Sequence, residues 1–263
     1  MKFLNDKNWT ELQDRFLSAK PFNHVVIDDF FTDEVAARLV AEFPHYDAPG
    51  IWNAHYHNAI EDKKACNHWD KFPEMTYAAL HYLCSDFEHV VTTITGNPGL
   101  QADVGLHGGG WHAHTKGGKL NVHLDYNIHP KIRLQRHYNI IIYLTPNWQP
   151  SWNGGLELWS HNHETQQPLE RVHLVENRFN RAVLFDTTQY SWHGLPDDLS
   201  CPDGIARQSM AVYYVTQPET GADTRGKALF APHGDQANDP EVLDLIKKRS
   251  QVQTAADVYK GTK

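Results

Sequence analysis

The feature that most constrains the fold of this chain is a succession of short strand-like runs that begins near residue 100. Apolar and β-branched residues dominate the runs, and glycine- or proline-containing stretches such as "TPNW" and "NGG" separate them. Many short strands at this spacing are typical of a sandwich, jelly roll or barrel, and no strong helix separates them as a parallel α/β sheet requires. The runs are "LNVHLDY", "HYNIIIYL", "LELW", "RVHLV", "RAVLFDT" and "QSMAVYYVT".

The N-terminal third has a different, mainly helical texture. "HVVIDDF" at 24–30 is typical of a short strand, and Thr32 with the acidic residues after it predicts a helix that ends before Pro44. The aromatic-rich stretch 45–72 has neither helical nor strand periodicity. We expect it to be a long ordered loop, which could cover a site or simply be an anchored surface.

A second helical pattern precedes the β region, and a third lies near the C-terminus. Apolar residues keep helical spacing from Pro73 to Thr95, and Gly96 ends the pattern, so one helix is predicted there. "DPEVLDLIKKR" predicts a helix in the otherwise polar tail. Because there is no linker-like stretch or internal repeat, we predict a single domain over 1–263, with a helical support region at 1–99, a β core at 100–217 and a C-terminal tail at 218–263.

Charge, cysteine spacing and the distribution of apolar residues limit the partners and the cellular location that we expect for this protein. The net charge of −8 disfavours nucleic acid and anionic membranes as partners, since both require a basic surface. The three cysteines lack the paired spacing of a thiolate zinc site or a disulfide framework. No apolar run approaches eighteen residues, and the first residues lack the apolar core of a signal peptide. We therefore expect a reduced, soluble, cytoplasmic protein, and no pattern indicates its oligomeric state.

Candidate metal ligands lie on the first strand of the β region. His123 and Asp125 are two residues apart, so on a strand they share one face, together with Asn121. A third ligand has to come from a strand adjacent in space, and His193 follows the strand "RAVLFDT". Two histidines and one carboxylate leave open coordination positions, which is the arrangement of non-haem Fe(II) oxygenases. His129, before Pro130, is interpreted as a turn residue.

A candidate anion receptor lies fourteen residues beyond His193. Arg207 and Ser209 share one face of the last predicted strand, "ARQSMAVYYV". A planar guanidinium beside a hydroxyl is suited to bind a carboxylate, because the two parallel N–H groups of the guanidinium match the two carboxylate oxygens.

Together these motifs resemble a known family. HxD at 123–125, the distal His193 and RxS at 207–209 are similar to those of the Fe(II)/2-oxoglutarate-dependent dioxygenases, and most similar to the prolyl-hydroxylase-like branch. The likeness extends through "RHYNIIIYLTPNWQPSWNGGLELW" and covers about 100–217. It implies a mainly β fold: a double-stranded β-helix (a jelly roll, cupin-like core) with supporting N-terminal α-helices.

The resemblance also implies roles for individual residues. His123, Asp125 and His193 would bind Fe(II). Arg207 would pair with the distal carboxylate of 2-oxoglutarate, assisted by the hydroxyls of Ser209 and Tyr143. The implied cofactors are Fe(II), 2-oxoglutarate as co-substrate and O2, with ascorbate as a further candidate. The implied reaction hydroxylates an unactivated carbon and releases succinate and CO2. Aspartate at 125 disfavours a halogenase, because related halogenases have glycine or alanine there.

Other polar residues are candidates for substrate contacts. Asn121 shares the predicted ligand face, and Arg136 begins a strand beside the site. His112 and His114 lie in the glycine-rich segment 106–119, which we interpret as a mobile wall of the pocket, with a solvated loop as the alternative. Their spacing, repeated in "HNH" at 161–163, is also that of a cupin-like metal pair, but no carboxylate follows either pair at the matching offset.

Three function classes remain open from the sequence. The favoured one is a hydroxylase acting on a small molecule, an amino acid or a peptidyl residue. The second is a cupin-like metalloenzyme, either an isomerase or a dioxygenase that does not use 2-oxoglutarate, and the RxS motif disfavours it. The third is a catalytically silent β-fold binding protein, which the complete ligand set disfavours.

Overall fold

The computed structural model describes residues 1–188 and 190–259 of the chain. Within these ranges there are five α-helices and thirteen β-strands. The helices are α1 (Trp9–Ser18), α2 (Asp33–Glu42), α3 (Glu74–Leu83), α4 (Glu88–Thr95) and α5 (Pro240–Arg249). The strands are β1 (His24–Ile27), β2 (Ala54–His57), β3 (Glu61–Cys66), β4 (Gln101–Ala102), β5 (Gly110–His114), β6 (Lys119–Leu124), β7 (Gln135–Tyr143), β8 (Leu156–Asn162), β9 (Gln167–Val175), β10 (Ala182–Asp186), β11 (Trp192–Leu195), β12 (Arg207–Thr216) and β13 (Leu229–Phe230).

The strands form one continuous antiparallel sheet that carries all the predicted site residues except Asp125, which directly follows β6. Its order is β1-β10-β7-β12-β5-β3-β6-β11-β8-β9, and β2, β4 and β13 are attached to β3, β12 and β6. Strands far apart in sequence are neighbours, as in a jelly roll. The mainly β core with N-terminal helices agrees with the prediction, and each of the six predicted runs lies on a strand.

The N-terminal helices pack against the outer face of this sheet. The side chains of Phe16, Phe30 and Phe87 are fully buried where α1, β1 and α4 meet the sheet. Helix α2 begins as predicted, because the Thr32 hydroxyl accepts a hydrogen bond from the backbone N–H of Val35 at its first turn. Helix α1 was not predicted, although the Asn8 side chain caps it.

The prediction of a single helix over 73–95 is wrong, because two helices occupy this stretch. Helix α3 ends at Leu83 and α4 begins at Glu88. In the break the Ser85 hydroxyl donates to the carbonyl of His81, and the backbone N–H of Phe87 donates to the carbonyl of Tyr82. A serine that bonds to the backbone competes with helix continuation. The apolar spacing runs through the break because both helices bury one face in the same core.

The predicted loop 45–72 contains a β-hairpin instead. Strands β2 and β3 pair with each other, and β3 is inserted between β5 and β6 in the sheet. The sequence "EDKKAC" of β3 has no β-branched residue, so it carries no strand signal. The region 1–99 is therefore more than a helical support, since it contributes a strand to the centre of the sheet.

The glycine-rich segment 106–119 is also more ordered than predicted, because it contains strand β5. A Cβ on Gly109 would lie 2.6 Å from the carbonyl oxygen of Ala211, and a Cβ on Gly110 would lie 2.1 Å from that of Cys66. Gly110 also has φ +80°. These glycines allow β5 to approach both neighbouring strands closely, and they do not mark a mobile loop.

The C-terminal tail closes one side of the sheet. Strand β13 pairs with β6, opposite Leu124 and His123. Helix α5 buries Val242 and Ile246 against Phe230. No helix in the described ranges is long and apolar enough to cross a membrane.

Candidate active site

Two adjacent strands bring the three predicted metal ligands together. His123 on β6 lies directly opposite His193 on β11, and the ring centroids are 4.4 Å apart. Asp125 directly follows Leu124, the last residue of β6. One ligand atom from each residue lies within 4.8 Å of the others, and all three side chains are buried. Among the described residues this is the one such group of three or more histidine, cysteine or acidic side chains.

Backbone hydrogen bonds set the tautomer of both histidines. Nδ1 of His123 lies 2.9 Å from the carbonyl oxygen of Asn121, and Nδ1 of His193 lies 2.8 Å from that of Ser191. A carbonyl oxygen can only accept, so each Nδ1 carries the proton and each Nε2 presents a lone pair. Burial, with a contribution from the neighbouring His193, lowers the pKa of His123 to about 3. Burial also lowers the pKa of His193. Both rings are therefore neutral at pH 7, as metal ligation requires.

The Asp125 carboxylate has the complementary charge. Burial acts to raise its pKa, but the opposing effects, of which the Arg136 guanidinium is the largest, hold the pKa below its ordinary value. Nη1 of Arg136 lies 3.6 Å from Oδ1 of Asp125. The other oxygen, Oδ2, is buried and has no hydrogen-bond partner among the described residues. An ionised, buried oxygen without a partner is expected where a cation binds.

Aromatic rings hold Arg136 in place on both faces. Its guanidinium carbon lies 3.6 Å from the ring centroid of Tyr126 and 3.4 Å from that of Tyr213. The guanidinium also donates to the Tyr126 hydroxyl and to the carbonyl of His107. Arg136, which the sequence predicts to contact the substrate, lines the cavity that also contains the three metal ligands. Its hydrogen bonds and its approach to Asp125 also give it a role in positioning the ligand carboxylate.

The predicted anion receptor lies on the same inner face of the sheet. Arg207 is fully buried, and its Nε donates to the carbonyl of Gly154 at 2.6 Å, which leaves the two terminal nitrogens for another acceptor. Ser209 lies opposite Tyr143 on the neighbouring strand β7, and the Arg207 guanidinium carbon is 5.0 Å from the Tyr143 ring centroid. Gly154 has φ +82°, and a Cβ there would lie 3.1 Å from Cδ of Arg207.

One cavity of about 590 Å³ joins the metal ligands to this receptor. Its volume is within the range of small-molecule binding sites. Apolar side chains between the polar groups include Leu120, Ile141 and Leu156. The predicted site residues that line it are His112, His114, His123, Asp125, Arg136, His193, Arg207 and Ser209.

The two histidines of β5 contact the cavity from its wall. His112 lies opposite Ser209 and His114 lies opposite Arg207 on β12. Both ring nitrogens of His114 are buried and lack a hydrogen-bond partner among the described residues. Burial and the nearby cations lower the pKa of His112 to about 3 and the pKa of His114 well below its ordinary value, so both rings are neutral.

Two predicted site residues, Tyr143 and Asn121, are not among the residues that line the cavity. Tyr143 is fully buried in an apolar cluster with Leu156 and Phe185. Asn121 contacts the C-terminal segment instead. Its amide nitrogen donates to the carbonyl of Ala231 and to the side chain of Gln236, which fastens the C-terminal segment. The reason is a β-bulge: His193 pairs with His123, but Leu195 pairs with Leu120, so β6 has one extra residue there. The bulge breaks the alternation of side chains, and Leu120 lines the cavity in place of Asn121.

Several residues of the site carried no usable sequence signal. The ring of Phe230 stacks on His123 at 5.1 Å, and Arg225 donates to the backbone carbonyl of Asp125. Both belong to the polar tail, where two-residue strand β13 is too short for a periodic pattern. Lys63 and Tyr213 also line the cavity.

The remaining histidine motifs lie outside the metal group. Nδ1 of His129 accepts hydrogen bonds from the backbone N–H groups of Lys131 and Ile132, which makes it a turn residue as predicted. In the "HNH" motif, Nδ1 of His161 accepts from the indole N–H of Trp192.

Comparison with known proteins agrees with this geometry. Residues 109–215 match the 2OG-Fe(II) oxygenase superfamily. A prolyl 3-hydroxylase (OGFOD1) of Xenopus laevis is 30% identical over 106 residues, which are 38% of this chain and 20% of that protein. The chain thus matches only a fifth of the length of this relative.

Solved structures share the fold at low sequence identity. A prolyl-4-hydroxylase of Pseudomonas putida gives a TM-score of 0.54 at 16% identity and covers 81% of this chain and 100% of its own. A Trichoplax adhaerens prolyl hydroxylase, bound to a hypoxia inducible factor peptide fragment, gives 0.55 at 16% identity, with 81% and 94% covered. HygX of Streptomyces hygroscopicus, with nickel, 2-oxoglutarate and hygromycin B bound, gives 0.50 at 15% identity, with 77% and 86% covered.

Residues 109–215 of the β core are similar to the 2OG-Fe(II) oxygenase superfamily, and the relatives named above include prolyl hydroxylases. The resemblance and the double-stranded β-helix expected from the sequence are thereby confirmed. The donor set fits the cofactors of this superfamily: two neutral histidines, one ionised carboxylate with a free oxygen, and a buried arginine in the same cavity.

Proposed function

We propose that the protein is an Fe(II)- and 2-oxoglutarate-dependent hydroxylase that oxidises an unactivated C–H of a small molecule, an amino acid or a peptidyl residue. Succinate and CO2 would be the products of the co-substrate. The observation that carries this proposal is that His123, Asp125 and His193 converge in one cavity with Arg207. Iron, 2-oxoglutarate and O2 together would supply the oxidising chemistry.

The residues of this chain would hold and orient the reactants. His123, Asp125 and His193 would hold the metal through Nε2, a carboxylate oxygen and Nε2. Arg207 would bind the distal carboxylate of 2-oxoglutarate with its terminal nitrogens, because its Nε is already used by Gly154. Ser209 and Tyr143 lie opposite each other on β12 and β7, and their hydroxyls would complete the receptor.

Other residues would protect and position the reacting groups. Arg136 keeps Asp125 ionised and restrains its carboxylate from one side. The apolar side chains of Leu120, Ile141 and Leu156 lower the amount of water in the cavity. His112 and His114 remain candidates for contacts to the substrate, since both line the cavity and are neutral.

The relatives suggest where a search for the substrate should begin. The named relatives include prolyl 3- and 4-hydroxylases, so prolyl peptides and free proline are the first compounds to test. We also propose a reducing, cytoplasmic location, because Cys66, Cys84 and Cys201 are all free and buried.

The test is the conversion of 2-oxoglutarate to succinate by the full chain with Fe(II), ascorbate and O2. We expect succinate in wild type, increased by a substrate from a panel of amino acids, peptides and small metabolites. Asp125→Ala should abolish it, and His163→Ala, which changes an exposed histidine of the β8–β9 hairpin, should leave it unchanged. Absence of succinate from iron-loaded wild type under all conditions would contradict the proposal and favour a cupin-like enzyme or a silent binding protein.

A further inference from the structure

A row of nitrogen-bearing side chains crosses three adjacent strands on the wall of the cavity. Arg207 on β12 lies opposite His114 on β5. Strand β5 in turn pairs with β3, where Ala113 lies opposite Lys64, so the next position along the ladder brings Lys63 beside His114. All three side chains of the row, Arg207, His114 and Lys63, line the cavity. The proposed function uses the arginine and assigns no role to Lys63.

Two other cations of the cavity already have carboxylate partners. Arg136 lies 3.6 Å from Asp125, and Nε of Arg249 lies 2.9 Å from a carboxylate oxygen of Glu61. The Lys63 ammonium has neither an ion pair within 4.0 Å nor a hydrogen bond in residues 1–188 and 190–259. Glu61, on the same strand, is taken by Arg249 and by the hydroxyl of Tyr259.

Lys63 differs in this respect from its neighbour in the chain. Lys64 points to the other face of the sheet, where its ammonium bonds to the carbonyl of Tyr46 and pairs with Asp47. Lys63 instead points inward, with its ammonium 5.3 Å from the ring centroid of Tyr56. Burial lowers the pKa of Lys63, because the surrounding protein disfavours the charged ammonium.

Pairing the charged groups of the cavity leaves Lys63 without a carboxylate partner. With Fe(II) and 2-oxoglutarate in place, Arg207 would pair with the distal carboxylate of the co-substrate. Asp125 is matched by Arg136, and Glu61 by Arg249. Among the cavity groups named so far, Lys63 remains as a cation without a carboxylate of its own. A buried charge without a partner is unfavourable, and a ligand that supplies the partner recovers that free energy.

We propose, resting on the function proposed above, that Lys63 is a specificity-determining residue that binds a carboxylate of the substrate. A single ammonium matches the single negative charge of a carboxylate better than the double charge of a phosphate monoester. The substrate class is then a small carboxylic acid, such as an amino acid or a peptide with its free carboxyl group in the cavity. An internal residue of a long peptide would leave Lys63 unpaired.

Binding to the nickel- and 2-oxoglutarate-loaded full chain tests this without turnover. The probes are a panel of N-acetyl amino acids and the matching N-acetyl amino acid amides, titrated by calorimetry. We expect at least one acid to bind wild type roughly tenfold or more tighter than its amide, because a hydrogen bond to a charged group is involved. Lys63→Met should lose that preference, and Lys63→Arg should retain part of it.

Controls separate this role from binding of the co-substrate and from folding. Lys64→Met, which neutralises the outward-facing neighbour, should bind the probes as wild type does. The affinity of Lys63→Met for 2-oxoglutarate should stay within about twofold of wild type, because Arg207 is unchanged. Equal binding of acids and amides, binding of no acid, unchanged binding by Lys63→Met, or a loss of 2-oxoglutarate affinity in that variant would each overturn the proposal. Failure to form succinate would overturn the proposed function alone, since the binding measurement does not depend on turnover.

Discussion

Replacing Arg207 by methionine should weaken the binding of 2-oxoglutarate far more than the binding of metal. Arg207 is 2% exposed, and its Nε is fixed to the carbonyl of Gly154 at 2.6 Å. The terminal nitrogens are therefore held in one orientation without cost at the moment of binding. Truncating one partner of a buried, hydrogen-bonded charge pair costs about 2–5 kcal/mol. That range corresponds to a loss of roughly 30-fold to several thousandfold in affinity.

Calorimetric titration of 2-oxoglutarate into nickel-loaded protein measures this loss directly. Arg207→Lys is the matched control: it keeps the positive charge but loses the fork, and we expect an intermediate affinity. Methionine also leaves the Gly154 carbonyl without a donor, which costs about 1–3 kcal/mol of stability, so the titration is made well below the melting temperature of the variant. An affinity for 2-oxoglutarate equal to that of wild type would refute the role given to Arg207.

Two further predictions concern the walls of the cavity. Arg249→Leu removes the partner of the buried Glu61 carboxylate and should lower the free energy of unfolding by about 3–5 kcal/mol in urea, and adding Glu61→Gln should restore part of it; an unchanged stability would contradict the buried ion pair. Gly110→Ala should destabilise the protein by more than the ~1–2 kcal/mol of its left-handed backbone, because its Cβ meets a backbone carbonyl at 2.1 Å. Gly117→Ala is the control, since Gly117 has φ +78° and nothing within 4 Å of an added Cβ. Equal losses in the two alanine variants would show that the close approach of β5 is not what requires glycine.

The metal ligands could be predicted from the sequence because they follow from the simplest rule of a strand. His123 and Asp125 are two residues apart, and His193 follows a strongly apolar strand. The same rule failed at Asn121, two residues earlier. The extra residue of the β6 bulge lies in the pairing between strands that are distant in sequence, and no local pattern reveals it.

The wall of the site formed by β5 and β3 was harder to predict, because these strands lack the usual composition. Gly109 and Gly110 indicate a loop by their type, yet they are required by the close approach of neighbouring strands. Lys63 lies on a strand without β-branched residues, whose position in the sheet is set by tertiary pairing. No sequence pattern therefore indicates that Lys63, which we propose to bind a carboxylate of the substrate, belongs to the site.

The most direct test of the iron centre is an anaerobic titration of Fe(II) into the metal-free protein. We predict one Fe(II) bound per chain in wild type and in His163→Ala, whose exposed histidine is outside the ligand group. His123→Ala, Asp125→Ala and His193→Ala should each bind Fe(II) at least ~100-fold more weakly, since even loss of an outer partner of a metal ligand costs up to that factor. Wild-type affinity in all three variants would contradict the assignment of the iron site.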